Sequence, residues 1–358
     1  MGIAFFLFFK KGGKMDNKDI LKLLKTSEYD FLRENIHLQD RIGMLCLGGS
    51  LSYGTSIEGK SDIDLRGFAF ETPAELIGIT NSFNQIVEVN TDTTIYAFNK
   101  FIKLLLENNP NIIELLGCKP EYYLYMTDVS KELIKHRKMF LTTKCIRSFG
   151  GYAGQQLARL ENAIARDSLP QARKEEHSEI SLNNAMASFV DKYTEFEQGS
   201  IILYIDDSIK ENMDKEVFAD INLRHYPVRD LSGILSEFTN ITKQYGKLNH
   251  RNKKKDDEHL NKHAMHLIRL YYMVFDLLEK GDIVTYREAE RPFLLEIRKG
   301  KFMCEDGTYD KSFYDFRDEL DKRFQYAQKH TVLPDKVNMK EVEDFIMDVN
   351  ERIVRKEL

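Results

Sequence analysis

The stretch Leu45-Cys-Leu-Gly-Gly-Ser-Leu-Ser-Tyr-Gly-Thr-Ser-Ile-Glu-Gly-Lys-Ser-Asp-Ile-Asp-Leu-Arg-Gly67 begins as an apolar run, breaks at Gly48-Gly49-Ser50, and returns through Ser61 into Asp62-Ile63-Asp64-Leu65. The order reads as strand, glycine turn, strand, with period-2 alternation running on toward Phe70. Alternation puts Asp62 and Asp64 on one face and Ile63 and Leu65 on the other. The turn exposes backbone N–H groups beside them. Two carboxylates at adjacent same-face positions suit Mg²⁺, which takes one or two protein carboxylates and leaves its other positions to water and substrate phosphates. Taken singly, a Gly-Gly-Ser turn is only a turn and an Asp-x-Asp pair is a solvated strand face. Their order and spacing together make a candidate site.

The chain of 358 residues exceeds the usual single domain and permits a core with one or two further units. A net charge of −5 supplies no global basic field for capturing a long nucleic acid, so any such contact needs a local patch. The four cysteines, Cys46, Cys118, Cys145 and Cys304, are widely spaced without a C-x-x-C pair. They read as reduced thiols of a cytoplasmic protein, not as zinc ligands or disulfides. At the N-terminus, Ile3 to Phe9 is apolar and is followed by Lys10, Lys11 and Lys14. Such a run is too short to span a bilayer, and its charge lies on the wrong side for a signal peptide. Residues 1–14 are expected to be a disordered or non-native extension, dispensable for stability and nucleotide affinity, and no membrane partner is expected.

Apolar positions at helical spacing from Ile20 to Leu32 place one or two helices before the first strand. Thr72-Pro73 opens a short helical or loop segment through Leu76. Ile86 to Val89 and Thr93 to Tyr96 have strand composition and form a third core strand or a hairpin. Asn99 to Glu107 reads as an amphipathic helix with Lys103 and Glu107 paired on its exposed side, and Asn109-Pro110 as the N-cap and first residue of the next. Beyond Thr127 strand signals nearly vanish. Lys131 to Phe140, Lys144 to Arg166, Asn183 to Gln198, His263 to Lys280, Arg287 to Lys299, Ser312 to Gln328 and Met339 to Val354 show helical periodicity, with polar connections near Asp167, Asp206 and Leu248. The expected organisation is an α/β (α+β) core with a small mixed β-sheet over 15–126, then a mostly α-helical domain over 127–358.

In the helix through Lys262-His-Ala-Met-His-Leu-Ile-Arg269, a turn of about 100° per residue gathers Ala264, Leu267, Ile268, Tyr271, Val274, Phe275 and Leu278 on the core side. Lys262, His266 and Arg269 fall opposite, with His263 at the border. Such a cationic edge suits a polyphosphate; the plainer alternative is a solvated face. The basic stretch His250 to Lys255 is followed at once by three acids and reads as a solvated loop.

Gly49-Ser50, followed about a dozen residues later by Asp62-x-Asp64 between apolar residues, resembles the signature of the DNA polymerase β-like nucleotidyltransferase superfamily. The fuller strings Gly-Gly-Ser-x-x-Tyr-Gly-Thr and Ser-Asp-Ile-Asp-Leu-Arg-Gly are similar to the branch of predicted nucleotidyltransferases grouped with a bacterial RNA-repair polymerase-like family. Lys100 to Leu116, Lys262 to Leu270, Phe293 to Lys301 and Val332 to Pro334 resemble that branch too, whereas the middle region 127–255 carries no motif that can be placed. The resemblance implies a nucleotidyltransferase core and a two-metal transfer of NMP from an NTP such as ATP to an acceptor hydroxyl. It implies Asp62 and Asp64 as ligands of Mg²⁺ or Mn²⁺, and a third carboxylate that is either Asp92, just before Thr93 to Phe101, or Glu88, an acid between two apolar residues. Nucleotide contacts are implied for Gly48, Gly49, Ser50, Tyr53, Ser61, Arg66, Lys100, Lys262, His263, His266 and Arg269. On this reading Asp62 and Asp64 act as one metal unit, and Arg269→Ala weakens NTP binding without harming the fold. The acceptor, whether RNA or tRNA end, protein or small molecule, is left open, as is oligomeric state. A catalytically inactive nucleotide-binding or regulatory protein of the same fold is the alternative.

Overall fold

Five strands form a mixed sheet in the order β3-β4-β2-β1-β5: β1 Ile42–Leu47, β2 Leu65–Ala69, β3 Gln85–Glu88, β4 Thr93–Ala97 and β5 Tyr123–Met126. The computed structural model describes residues 17–57, 61–79, 83–168, 201–207, 215–222 and 257–358, with single positions between 176 and 239. The expected features of residues 1–14, the helix expected over 183–198 and the basic stretch at 250–255 therefore lie outside the described residues.

Central β1 is apolar almost throughout because it is covered on both faces, with every residue from Gly43 to Leu47 buried. It pairs antiparallel with β2 and with β5, while β2 and β4 run parallel. One face of the sheet, with Leu45, Leu47, Leu65, Ala69, Ile95 and Ala97, packs on Ile20, Leu23, Leu24, Tyr29, Leu32 and Leu38. These last residues belong to α1 (Asn17–Leu23) and the turns after it. From the other face Phe68 meets Phe98 and Phe101 of α4 (Phe98–Leu106), with ring centroids 5.3 and 5.1 Å away. Between β1 and β2 lies the short helix α2 (Gly49–Tyr53); α3 (Pro73–Ile77) follows β2, started by a Thr72/Glu75 capping box. Asn109 caps α5 (Pro110–Ile113) as its sequence indicates.

The rest of the chain is mostly helical: α6 (Asp128–Lys135), α7 (Lys144–Ser168), α8 (Asp257–Phe275), α9 (Arg291–Arg298), α10 (Lys311–Lys329) and α11 (Met339–Val354). Two compact units result. The first comprises residues up to Gly154 with Met265–Glu296 and Asp315–Leu358; the second comprises Gln155–Ala264 and Ile297–Tyr314. The boundary expected at 126 falls inside the first unit. In that unit α11 buries Val342, Val349 and Ile353, and its Phe345 approaches Phe98. In the second, the Tyr309 hydroxyl donates to Asn261 Oδ1 (2.6 Å) and its ring meets Phe313.

Three expectations need correction. Strands do not end before residue 127: β6 (Ile201–Asp207) and β7 (Lys215–Ile221) pair antiparallel in the second unit, so the polar connection expected at Asp206 is partly strand. The run Ile-Ile-Leu-Tyr-Ile lacks alternation, and its β character shows only once β7 lies beside it. Strand β5 also goes unforeseen, being four residues at a sheet edge. Finally, Glu107 pairs with Lys144 (3.0 Å), brought to it by the fold, rather than with Lys103.

Candidate active site

Register sets the site. In the parallel pair Leu65 stands opposite Thr93 and Arg66 opposite Thr94, so Asp64 and Asp92 precede neighbouring strands at the same end of the sheet. Leu47 is opposite Leu65 in the antiparallel pair, so the Gly48-Gly49-Ser50 turn leaves β1 at that end as well. Backbone bonds lock the junction: Gly48 N–H donates to the Asp64 carbonyl (2.8 Å) and Leu65 N–H to the Asp92 carbonyl (3.1 Å).

Arg66 joins the two carboxylates. Its Nη2 lies 2.9 Å from Asp92 Oδ1 and 3.7 Å from Asp64 Oδ1, and its Nη1 donates to the carbonyls of Leu65 (2.9 Å) and Asp92. Asp92 adopts φ +43°, a left-handed conformation that few residues other than glycine take up, and those bonds hold it there. Gly49 also has positive φ, +56°, and an added Cβ would come within 1.7 Å of Asp64 Oδ2. The carboxylate thus rests on the bare backbone of the turn, an approach only glycine allows.

Asp62 is placed differently from the expectation. Strand β2 starts at Leu65, so Asp62 and Asp64 lie in the segment leading into it rather than on one face of a strand, and Asp62 is exposed while Asp64 is half-buried. Glu88, the alternative third acid, ends the sheet-edge strand β3 and accepts from the backbone and side chain of Asn90 in the turn that follows. Ser61 Oγ accepts from Ile57 N–H (2.8 Å). Lys100 is in the first turn of α4, past the far end of β4. Five strand residues, roughly 17 Å at ~3.3 Å each, separate that end from Asp92.

The cationic helix edge is the second correction. Arg269 is only 3% exposed. Its guanidinium lies over the Tyr53 ring, 3.5 Å from the centroid, and Nη1 donates to Glu114 Oε2 (3.3 Å). The Tyr53 hydroxyl donates to Glu114 Oε1 (2.6 Å), and His266 meets the Tyr53 ring edge-on. Burial holds the Tyr53 phenol well above its ordinary range; Arg269 opposes that and Glu114 adds to it. Tyr53, His266 and Arg269 therefore brace α2 from behind. The helical wheel fails because it assigns faces by polarity, whereas here a charged side chain is buried with a partner 155 residues away. On the same helix Lys262 is exposed, and His263 Nδ1 sits 3.0 Å from Gln156 Oε1 within the second unit.

Glu114 falls within the family-like string Lys100 to Leu116, but its sequence neighbours, Ile112, Ile113, Leu115 and Leu116, look like plain core and assign it no role. Thr285 donates to the Glu114 carbonyl and Arg291 Nε to the Gly54 carbonyl (2.6 Å), so two further residues support α2 from the C-terminal half. The local signal is an acid in an apolar run, which demands a buried partner.

Among the described residues no group of three or more His, Cys, Asp or Glu is already gathered as a metal cage. Asp64 and Asp92 nonetheless fit a hard divalent cation. They offer carboxylate oxygens, the donors such ions take, and one cationic nitrogen of Arg66 stands between them as a stand-in ion.

Two comparisons with known proteins give a match. Residues 24–173 match RlaP, the RNA repair pathway DNA polymerase beta family. The chain is also 22% identical over 323 residues, 83% of its length and 94% of the relative's, to an uncharacterized 38.9 kDa protein from the nrdC-mobD intergenic region of Enterobacteria phage T4. No solved structure matches. No helix among the described residues is long and apolar enough to cross a membrane. The segment 24–173, which holds the five-stranded sheet, the Gly49 turn, Asp64 and Asp92, is thus similar to the RNA repair pathway DNA polymerase beta family.

Proposed function

We propose that the protein transfers a nucleoside monophosphate from an NTP to an acceptor hydroxyl by a two-metal mechanism. The observation that carries the reading is the meeting of Asp64 and Asp92 on one cationic nitrogen at the common end of β2 and β4, with Gly49 against Asp64. Asp64 and Asp92 would hold the cations together with exposed Asp62, and Asp92 would take the acceptor's proton. Bound there, Mg²⁺ or Mn²⁺ would activate the attacking oxygen and neutralise charge on the leaving pyrophosphate. The backbone of Gly48, Gly49 and Ser50 lies beside Asp64 and serves the phosphates, while the buried Tyr53–Glu114–Arg269 brace keeps that turn from shifting. Positioning and charge neutralisation supply most of the rate in such transfers.

The RNA-repair description of the matching family makes an RNA end the first acceptor to test, ahead of tRNA, protein and small molecules. The test is pyrophosphate release from labelled NTPs with Mg²⁺ and an RNA pool, followed by identification of the labelled product. Release by the wild type that falls to background in both Asp64→Asn and Asp92→Asn is the expected result. Nucleotide binding without release, across all acceptor pools, would assign the chain to the inactive, regulatory class.

A further inference from the structure

Arg66 makes more contacts than a surface ion pair needs. Its side chain is 24% exposed and reaches Asp92 (54% exposed) and Asp64 (18% exposed) with one nitrogen, while the other caps two carbonyls at the ends of adjacent strands. The guanidinium thus lies on the carboxylate oxygens a divalent cation requires. Both cannot use those oxygens on equal terms, because a guanidinium a few ångströms from a divalent ion is strongly repelled. The partial exposure of Arg66 and Asp92 lets the head group leave without opening the core. A freed guanidinium has a second natural partner, since its planar fork binds phosphate as well as carboxylate.

We propose that Arg66 is a built-in counter-cation: it holds Asp92 and Asp64 in place, is displaced by the divalent ion, and then turns to the triphosphate. The proposal rests on the nucleotidyltransferase reading and adds an ordered exchange to it. Before exchange Arg66 neutralises like-charged carboxylates and secures the left-handed Asp92; after exchange it is a nucleotide contact. Metal and nucleotide binding are thereby coupled through one side chain.

The exchange requires two opposite effects of a single substitution, which a purely structural arginine would not produce. In Arg66→Gln, which keeps a donor for the Asp92 carbonyl but loses the charge, Mn²⁺ binding measured by calorimetry without nucleotide should tighten by about tenfold. NTP affinity measured with Ca²⁺ present should weaken by about the same factor. A variant that binds Mn²⁺ no tighter than the wild type overturns the proposal. Should the variant fold poorly, arginine side-chain NMR of the wild type decides: the Arg66 Nη signals should move on adding Ca²⁺ alone and move again on adding NTP, and signals unmoved by Ca²⁺ overturn it. Pyrophosphate release by the wild type separates the two levels. Release together with unchanged Mn²⁺ affinity in Arg66→Gln removes the counter-cation role alone, whereas Mn²⁺ binding to neither protein removes that role and the metal-dependent reading together.

Discussion

Gly49 and Arg269 show how single residues build this site. At Gly49 a methyl group meets two penalties, the left-handed φ of +56° and the Asp64 oxygen 1.7 Å from the new Cβ. Gly49→Ala should lower stability by roughly 1–3 kcal/mol, read from denaturant melts, and should displace Asp64 and abolish pyrophosphate release. Full activity in this variant would mean that Asp64 is not used where it stands. Arg269→Ala should act on the fold. Removing the guanidinium leaves Glu114 buried beside Tyr53 without its cation, a loss of about 3–5 kcal/mol. Glu114→Gln with Arg269→Met should recover part of that loss, because the two residues act as a pair. An Arg269→Ala protein of wild-type stability with weakened NTP binding would instead return Arg269 to the phosphates.

At the scale of elements, the joint between β2 and α4 depends on a buried acid. Glu71 is 3% exposed; its Oε1 accepts from Asn99 N–H (3.1 Å) in the first turn of α4, and its Oε2 has no hydrogen-bond partner among the described residues. Burial raises its pKa above the ordinary 4.5, against the lowering effect of the backbone donors. A carboxyl group with a raised folded-state pKa favours the native protein while protonated. That contribution is full below 4.5 and is lost as pH climbs through the raised value. Glu71→Gln should therefore melt higher than the wild type at neutral pH, with the gap closing as pH falls toward 4.5. A gap that widens on acidification would refute this assignment. Glu75 behaves in the opposite sense. Its pKa is lowered, despite some burial, by the Thr72 donors, His37 and Arg41, so the α3 capping box weakens as pH falls below 4.5.

Across the whole chain, the C-terminal segment is part of the N-terminal sheet's own unit. Helix α11 buries Val342, Val349 and Ile353, and Asn350 exchanges hydrogen bonds with Asn99 (3.3 Å) at the start of α4. Ending the chain at Asn338 removes three buried aliphatic side chains, at ~1.5–3 kcal/mol each. We expect a truncated protein that melts far lower or does not accumulate, measured beside a variant lacking residues 1–14, whose melting temperature should match the full chain. Equal melting of the two shortened proteins would show that the N-terminal sheet does not need α11.

What the sequence by itself determined is local. The Gly-Gly-Ser break between two apolar runs, the Asn109-Pro110 cap, the Thr72-Pro73 start and the 3.6-residue periodicity of α7, α10 and α11 act within a few positions of one another. Short-range sterics and hydrogen bonding suffice to express them. The positions of Gly49 and Asp64 on either side of the β1–β2 connection are legible for the same reason. Only the tertiary structure decided which carboxylates meet. The parallel register of β2 with β4 brings Asp92 to the Asp64 end of the sheet, and Asp62 lies in the segment leading into the strand, which starts only at Leu65. Burial of Arg269 was equally out of reach. Its charge is compensated by Glu114, and a charge is buried only where the folded chain supplies a partner, which no pattern local to either residue records.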